Sequence, residues 1–127
     1  MKIYIDIILS GKNFNPQQVS NDYNIKFRSY RMKGDCNPRT KNIEKEGYAI
    51  LSSDDNFDID KQFEEILFQY DKIFKVGEEK IGIDNKEFNL YVETLQNSFS
   101  IDTKYLKIIC TYFSKINITY IEEEASK

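Results

Sequence analysis

Ile3, Ile5, Ile7 and Leu9 alternate along the first ten residues, and no other feature constrains the fold of this chain as strongly. A two-residue period puts four branched apolar side chains on one side of a strand, and that side must be covered by something apolar. The best candidate for the cover is a helix over about residues 59–75. There Ile59, Phe63, Ile66, Leu67, Tyr70 and Phe74 recur at steps of three and four behind Asp58, a good N-cap, while the opposite face is charged. A one-sided strand and a one-sided helix of this kind specify a layered fold.

The rest of the chain supplies further layers. The first strand covers about residues 2–10. A short helix begins at Pro16, with Asn15 as N-cap, Gln18 completing a capping box, and Phe14 and Val19 placed as a hydrophobic staple. Strands are predicted over 25–33, 47–53, 88–96 and 116–122. A last helix, 102–115, has Asp102 as cap and Ile101 with Leu106 as staple. Gly11 and Gly34 are expected to permit turns after the first two strands, with positive backbone φ, and Gly34-Asp35 opens a polar loop that contains Asn37-Pro38. The order β-α-β-β-α-β-α-β predicts an α+β two-layer sandwich, a mixed or antiparallel sheet of about five strands with helices on one face. The first and last thirds echo one another as strand, turn, capped helix, strand.

With 127 residues this reads as a single domain over 1–127, large enough to bury a core without a disulfide or metal. Cys36 and Cys110, far apart and in no metal-ligand spacing, suit a reducing compartment, Cys110 packing as a small apolar group in the last helix. Asp6 breaks the opening apolar run, and no run approaches the roughly 20 residues of a membrane span, so the expected location is the cytoplasm. Asn117-Ile118-Thr119 matches a glycosylation acceptor, but it falls inside a predicted strand and is discounted.

The chain contains no histidine, which removes Ser-His-Asp and Cys-His nucleophile systems and the usual zinc sites. Five glycines form no phosphate-binding fingerprint, and Cys36, beside Asp35, has no identifiable base. One segment imitates a calcium loop. Counting from Asp54, the residues Asn56, Asp58 and Asp60 take alternate places and Glu65 the twelfth, but Ile59 stands where the sharp turn demands glycine. Asp58 as a helix cap accounts for the same residues, so no metal is assigned.

Charge is unevenly distributed. Residues 26–45 hold seven basic and two acidic residues, whereas from Glu46 onward there are nine basic and seventeen acidic. Lys26 to Lys33 interleaves basic and aromatic residues as single-strand binders do. Phe27 and Tyr30 are expected on opposite strand faces and the net charge is −3, so no nucleic-acid partner is expected. Lys33 and Arg39 are expected to pair with the protein's own carboxylates or with a protein partner.

Ser10-Gly11, Asn13-Phe14-Asn15-Pro16, Val19-Ser20, Lys33-Gly34-Asp35, Gly47-Tyr48-Ala49-Ile50 with Ser52, Ile101-Asp102, Leu106 and Asn117-Ile118-Thr119-Tyr120 follow one another in an order that resembles the bacterial domain-of-unknown-function 4279 family, over nearly the whole chain. The resemblance implies no enzyme activity and no cofactor, because none is established for the family, and some relatives look like immunity proteins of polymorphic toxin systems. It therefore implies a binding protein that neutralises a cognate toxin domain. The charge pattern nominates Asp54, Asp55, Glu122, Glu123 and Glu124 to meet a basic effector, with Lys33 and Arg39 as further contact residues. The alternative is a small-molecule or metal-responsive binding domain using the Asp54–Glu65 spacing or the Gly34-Asp35 loop. Oligomeric state is left open.

Overall fold

A computed structural model describes residues 2–53, 58–94 and 100–122. The elements are β1 (Lys2–Gly11), α1 (Pro16–Tyr23), β2 (Ser29–Arg31), β3 (Gly47–Ser52), α2 (Ile59–Val76), α3 (Glu78–Ile81), β4 (Asn85–Thr94), α4 (Thr103–Tyr112) and β5 (Ile116–Glu122). They form an α+β sandwich whose mixed five-stranded sheet has the order β2-β3-β1-β4-β5. The alternating first strand lies at the centre. It pairs antiparallel with β3, from Asp6 opposite Ser52 to Gly11 opposite Gly47, and with β4, from Lys2 opposite Glu93 to Ser10 opposite Asn85.

β2 is antiparallel to β3 and β5 is parallel to β4. Because β1 and β2 both run against β3, they run the same way with β3 inserted between them. β1-α1-β2 and β4-α4-β5 are therefore both strand–helix–strand units with parallel strands, one split and one adjacent, which gives the echo between the two ends of the sequence a topological basis.

The helices cover one face. Ile3, Ile5, Ile7 and Leu9 are buried there with Ala49, Leu51, Phe88, Leu90 and Val92 of the neighbouring strands. Facing them are Phe63, Ile66, Leu67, Tyr70 and Ile73 of α2, Tyr105 and Ile109 of α4, and Val19 of α1. The Phe63 ring stacks 5.2 Å from Tyr105 and 6.4 Å from Phe88, and Tyr70 lies 4.8 Å from Phe113. Each large side chain so buried stabilises the fold by about 1.5–3 kcal/mol relative to exposure.

The three predicted caps form. Asn15 Oδ1 accepts the Gln18 N–H at 3.0 Å, Asp58 Oδ1 accepts the Asp60 N–H at 3.1 Å, and Asp102 Oδ1 accepts the Lys104 N–H at 3.0 Å. Pro16 is the first residue of α1, as expected.

Several expectations are corrected. The strand predicted over 25–33 shrinks to Ser29–Arg31, because the Arg28 N–H donates to Ile50 O at 2.8 Å while Ser29 is also the register partner of Ile50. Two residues thus oppose one, a bulge that turns Phe27 inward against Phe14. Tyr30, opposite the buried Ala49, lies on the helix side rather than on the face opposite Phe27. The last helix ends at Tyr112, where Phe113 is already extended, and Cys110 is exposed rather than packed. In α2, Ile73 is buried and Phe74 is half exposed. The short helix α3 has no counterpart among the predicted elements.

Gly34 has the expected positive φ of 95°, but Gly11 lies within β1 and is not among the positive-φ residues. Gly11 is needed for close approach instead. A Cβ there would land on the carbonyl oxygen of Gly82 and 2.9 Å from its carbon, and one on Gly47 would land on the carbonyl oxygen of Phe14. The chain between β1 and α1 threads between these backbones. The crossing is fixed by Asp84 N–H to Ser10 O at 2.9 Å and Lys12 N–H to Asp84 Oδ2 at 3.0 Å. Among the described residues, no helix is long and apolar enough to cross a membrane.

Candidate functional site

The sheet face opposite the helices is built from the other half of each alternating strand: Tyr4, Asp6, Ile8 and Ser10 of β1, Tyr48, Ile50 and Ser52 of β3, and Tyr91 of β4, all half-buried. Two arginines from the β2 edge reach this face and meet carboxylates there. Arg28 lies 3.6 Å from Asp6, whose Oδ1 also accepts the Ser52 hydroxyl, and Arg31 lies 3.4 Å from Glu44 Oε1. The Arg31 guanidinium also sits 6.0 Å from the centre of the Tyr48 ring, near the limit of a cation–π contact.

The segment between β2 and β3 is long for a connection, and its own polar side chains hold it. Met32 N–H donates to Asp35 Oδ2 at 2.7 Å, and Asp35 and Glu44 exchange backbone hydrogen bonds with each other's neighbourhood: Glu44 N–H to Asp35 O and Gly34 N–H to Glu44 O, both 2.8 Å. Cys36 bridges antiparallel to Ile43. At the tip, Asn37 closes the turn: its N–H donates to Asn42 O at 2.8 Å, its Oδ1 accepts the Arg39 N–H at 3.0 Å, and its carbonyl accepts the Lys41 N–H at 2.7 Å. Lys41 adopts the left-handed region, φ 61°. The Asn37 amide then donates to Glu44 Oε1 at 3.0 Å, the same oxygen that faces Arg31, so the turn is tied to the sheet through one carboxylate.

The result is a small hairpin standing beside the open sheet face, with a groove of about 860 Å³ between them lined by Ser10, Lys41, Ile43, Lys45, Glu46 and Tyr48. Ile43, an apolar side chain, is 68% exposed in it. Lys33, Arg39, Lys41 and Lys45 are exposed on the hairpin. The ion pairs among the described residues are Arg28–Asp6, Arg31–Glu44, Lys75–Asp71 and Lys86–Glu78; among these residues Arg28 and Arg31 pair with carboxylates, and Lys33 and Arg39 are in none of the pairs.

The structure brings Lys33 and Arg39 onto one hairpin. Asp54, Asp55, Glu123 and Glu124 lie outside the described residues, and Glu122 is the last residue of β5. Of the calcium-like segment, Asp54 and Asn56 lie outside the described residues, Asp58 is engaged as the cap of α2, and Asp60 and Glu65 belong to that helix. Among the described residues, no group of three or more His, Cys, Asp or Glu side chains is placed to hold a metal ion. A second, smaller cleft of about 220 Å³ lies between β3 and α2, where Lys26, Ser53, Glu65 and Gln69 meet.

Sequence reasoning missed a polar junction behind α2. The Lys86 ammonium lies 2.8 Å from Glu78 Oε1, donates to the Tyr112 carbonyl and sits 5.2 Å from the Phe113 ring centre. Beside it Tyr112 donates to Asp71 Oδ1 at 2.9 Å. Burial pushes the Tyr70 phenol far above its ordinary range, with the Glu78 carboxylate adding to the effect, and burial together with Asp71 raises that of Tyr112. These groups join α2, α3, β4 and the end of α4, with two of the three Lys86 N–H donors engaged and the ammonium over the Phe113 ring. The arrangement is a structural staple.

No protein-family model matches this chain, and no curated protein or solved structure matches it either.

Proposed function

We propose that this chain is a non-enzymatic binding protein that docks a folded protein partner on the Lys33–Lys45 hairpin and the sheet face beside it. The observation that carries this reading is the division of labour among the basic residues. Arg28 and Arg31 each stand beside a carboxylate of the sheet edge, Asp6 and Glu44, while Lys33, Arg39, Lys41 and Lys45 are held outward on a hairpin already ordered by Asp35, Asn37 and Glu44. A pre-ordered loop loses little conformational entropy on binding, and exposed charges of one sign steer an acidic face towards it. Ile43 and Tyr48 supply apolar contact in the centre of the groove.

The partner class follows from the resemblance to the domain-of-unknown-function 4279 family: a cognate bacterial toxin domain, neutralised by occlusion. Nucleic acid fits less well, because the arginines nearest the open-face tyrosines are already paired and the chain as a whole carries −3. The test is genetic and then biochemical. Co-expression with a toxin gene encoded beside this one restores growth, and the Lys33→Glu, Arg39→Glu, Lys41→Glu triple variant fails to do so although it is folded. Rescue by the triple variant at wild-type level would remove the hairpin from the interface.

A second reading, a small-ligand or metal-responsive domain, is favoured by one feature, the smaller cleft, where the buried atoms Glu65 Oε2 and Gln69 Oε1 have no hydrogen-bond partner. Its volume is below the roughly 300–1,000 Å³ of ordinary ligand pockets. A rise in melting temperature with millimolar calcium or manganese would favour it.

A further inference from the structure

We infer that β5 is the seam of a homodimer, in which two copies of this chain pair antiparallel along β5 and the two sheets become one. The two edges of the sheet are not alike. At one edge, β2 has three residues and is bent by the Arg28–Ser29 bulge, both of which discourage another strand from adding on. At the other, β5 runs for seven residues, Ile116 to Glu122, pairs only with β4 among the described strands, and has no proline, glycine or charge before its last residue.

Its side chains suit pairing as well. Ile118 is 53% and Ile121 is 50% exposed, one on each face of the strand, and Tyr120 is 42% exposed on the side of Ile118. An exposed, regular, apolar edge of this length is a template for strand addition unless something covers it.

A second copy is the occupant that the charges favour. Lys115 leads into β5 and Glu122 closes it. Antiparallel pairing brings the basic start of each strand close to the acidic end of the other, on opposite faces of the sheet, whereas parallel pairing would set Lys115 directly against Lys115 and Glu122 against Glu122. The two-fold axis constrains the register further. In a continuous sheet, residues directly opposite must share a face, so symmetric pairing joins residues of the same parity. With Thr119 on the axis, Ile118 of each copy packs against Tyr120 of the other, on the helix side. This gives two apolar cross-strand pairs for one seam.

The experiment uses the full chain. Sedimentation or light scattering across protein concentration is expected to give twice the 15.1 kDa chain mass at about 100 μM, with dissociation on dilution. Ile118→Lys, which places two ammonium groups into the seam, is expected to raise the dissociation constant at least about tenfold while its melting profile at low concentration stays cooperative. A second variant reads the geometry directly. Thr119→Cys, in a background with the exposed Cys36 and Cys110 changed to serine, is expected to form an intermolecular disulfide rapidly on mild oxidation, because opposite Cα atoms about 4.5–5.5 Å apart fall within disulfide range. A wild-type chain that stays monomeric at about 100 μM overturns the inference, as does a dimer that survives Ile118→Lys with unchanged affinity. Failure of Thr119→Cys to cross-link within a dimer overturns the register and with it the seam.

Discussion

Replacing Gly11 with alanine tests the threading of the chain between β1 and α1. The added Cβ meets the Gly82 carbonyl oxygen and lies 2.9 Å from its carbon and 3.0 Å from the Asp84 nitrogen, all backbone atoms. No side chain can rotate away to make room. Overpacking ordinarily costs about 1–3 kcal/mol when side chains can adjust. Here the backbone must separate, which also strains the Asp84–Ser10 and Lys12–Asp84 hydrogen bonds, worth about 0.5–1.5 kcal/mol each. The expected loss is about 3–5 kcal/mol, a large part of the stability of a domain this size. At about 3–5 °C per kcal/mol, the melting temperature should fall by about 10–20 °C.

Gly34→Ala is the control. Gly34 has φ 95° but no atom within 4 Å of its would-be Cβ, so only left-handed strain of about 1–2 kcal/mol applies. Thermal and urea denaturation of both variants, followed by circular dichroism, gives the comparison. If Gly11→Ala loses no more stability than Gly34→Ala, close approach is not what Gly11 is for.

Asp58→Ala removes the side-chain acceptor for the Asp60 and Lys61 N–H groups at the start of α2 and should cost about 0.5–2 kcal/mol by urea denaturation. Lys86→Met leaves the Glu78 carboxylate half-buried without its cation and the Tyr112 carbonyl without its donor; a loss of about 1–3 kcal/mol is expected from the same measurement. Tyr70→Phe removes a buried hydroxyl that neighbours the Glu78 carboxylate without a hydrogen bond of normal geometry and should change stability little at pH 7. It should also flatten the alkaline limb of the stability curve. With its folded pKa raised, Tyr70 stays protonated in the native state while the unfolded chain ionises, so its contribution is full below about pH 10 and falls by at most about 1.4 kcal/mol per pH unit above it. Equal alkaline slopes for Tyr70→Phe and wild type would show that the phenol is not held neutral by the fold.

Local chemistry made much of the fold legible. Ile3 to Leu9 announced a one-sided strand, Asn15, Asp58 and Asp102 announced three helix starts, and the alternation at 116–122 gave β5 its observed bounds. What stayed hidden depended on partners distant in sequence. The bulge at Arg28 exists because Ile50 O takes its N–H, and Gly11 is required because Gly82 crosses it. A four-residue helix such as α3 is too short to show a period.

The hairpin was legible in half. Gly34-Asp35 and Asn37-Pro38 marked turns, but nothing local marks Glu44 as the carboxylate that ties Asn37 and Arg31 together. For that reason the sequence could nominate Lys33 and Arg39 but could not separate them from Arg28 and Arg31, which look the same in one dimension and differ only in whether Asp6 or Glu44 lies within reach.

The association rate of this protein with the cognate toxin domain proposed as its partner, followed across ionic strength, tests the proposed role of the hairpin most directly. Wild type should associate quickly at low salt and slow steeply as salt rises. The Lys33→Glu, Arg39→Glu, Lys41→Glu variant, with an unchanged melting temperature, should associate at least about tenfold more slowly and with a flattened or reversed salt dependence. Identical association rates and salt slopes for the two proteins would contradict the claim that this hairpin is the docking surface.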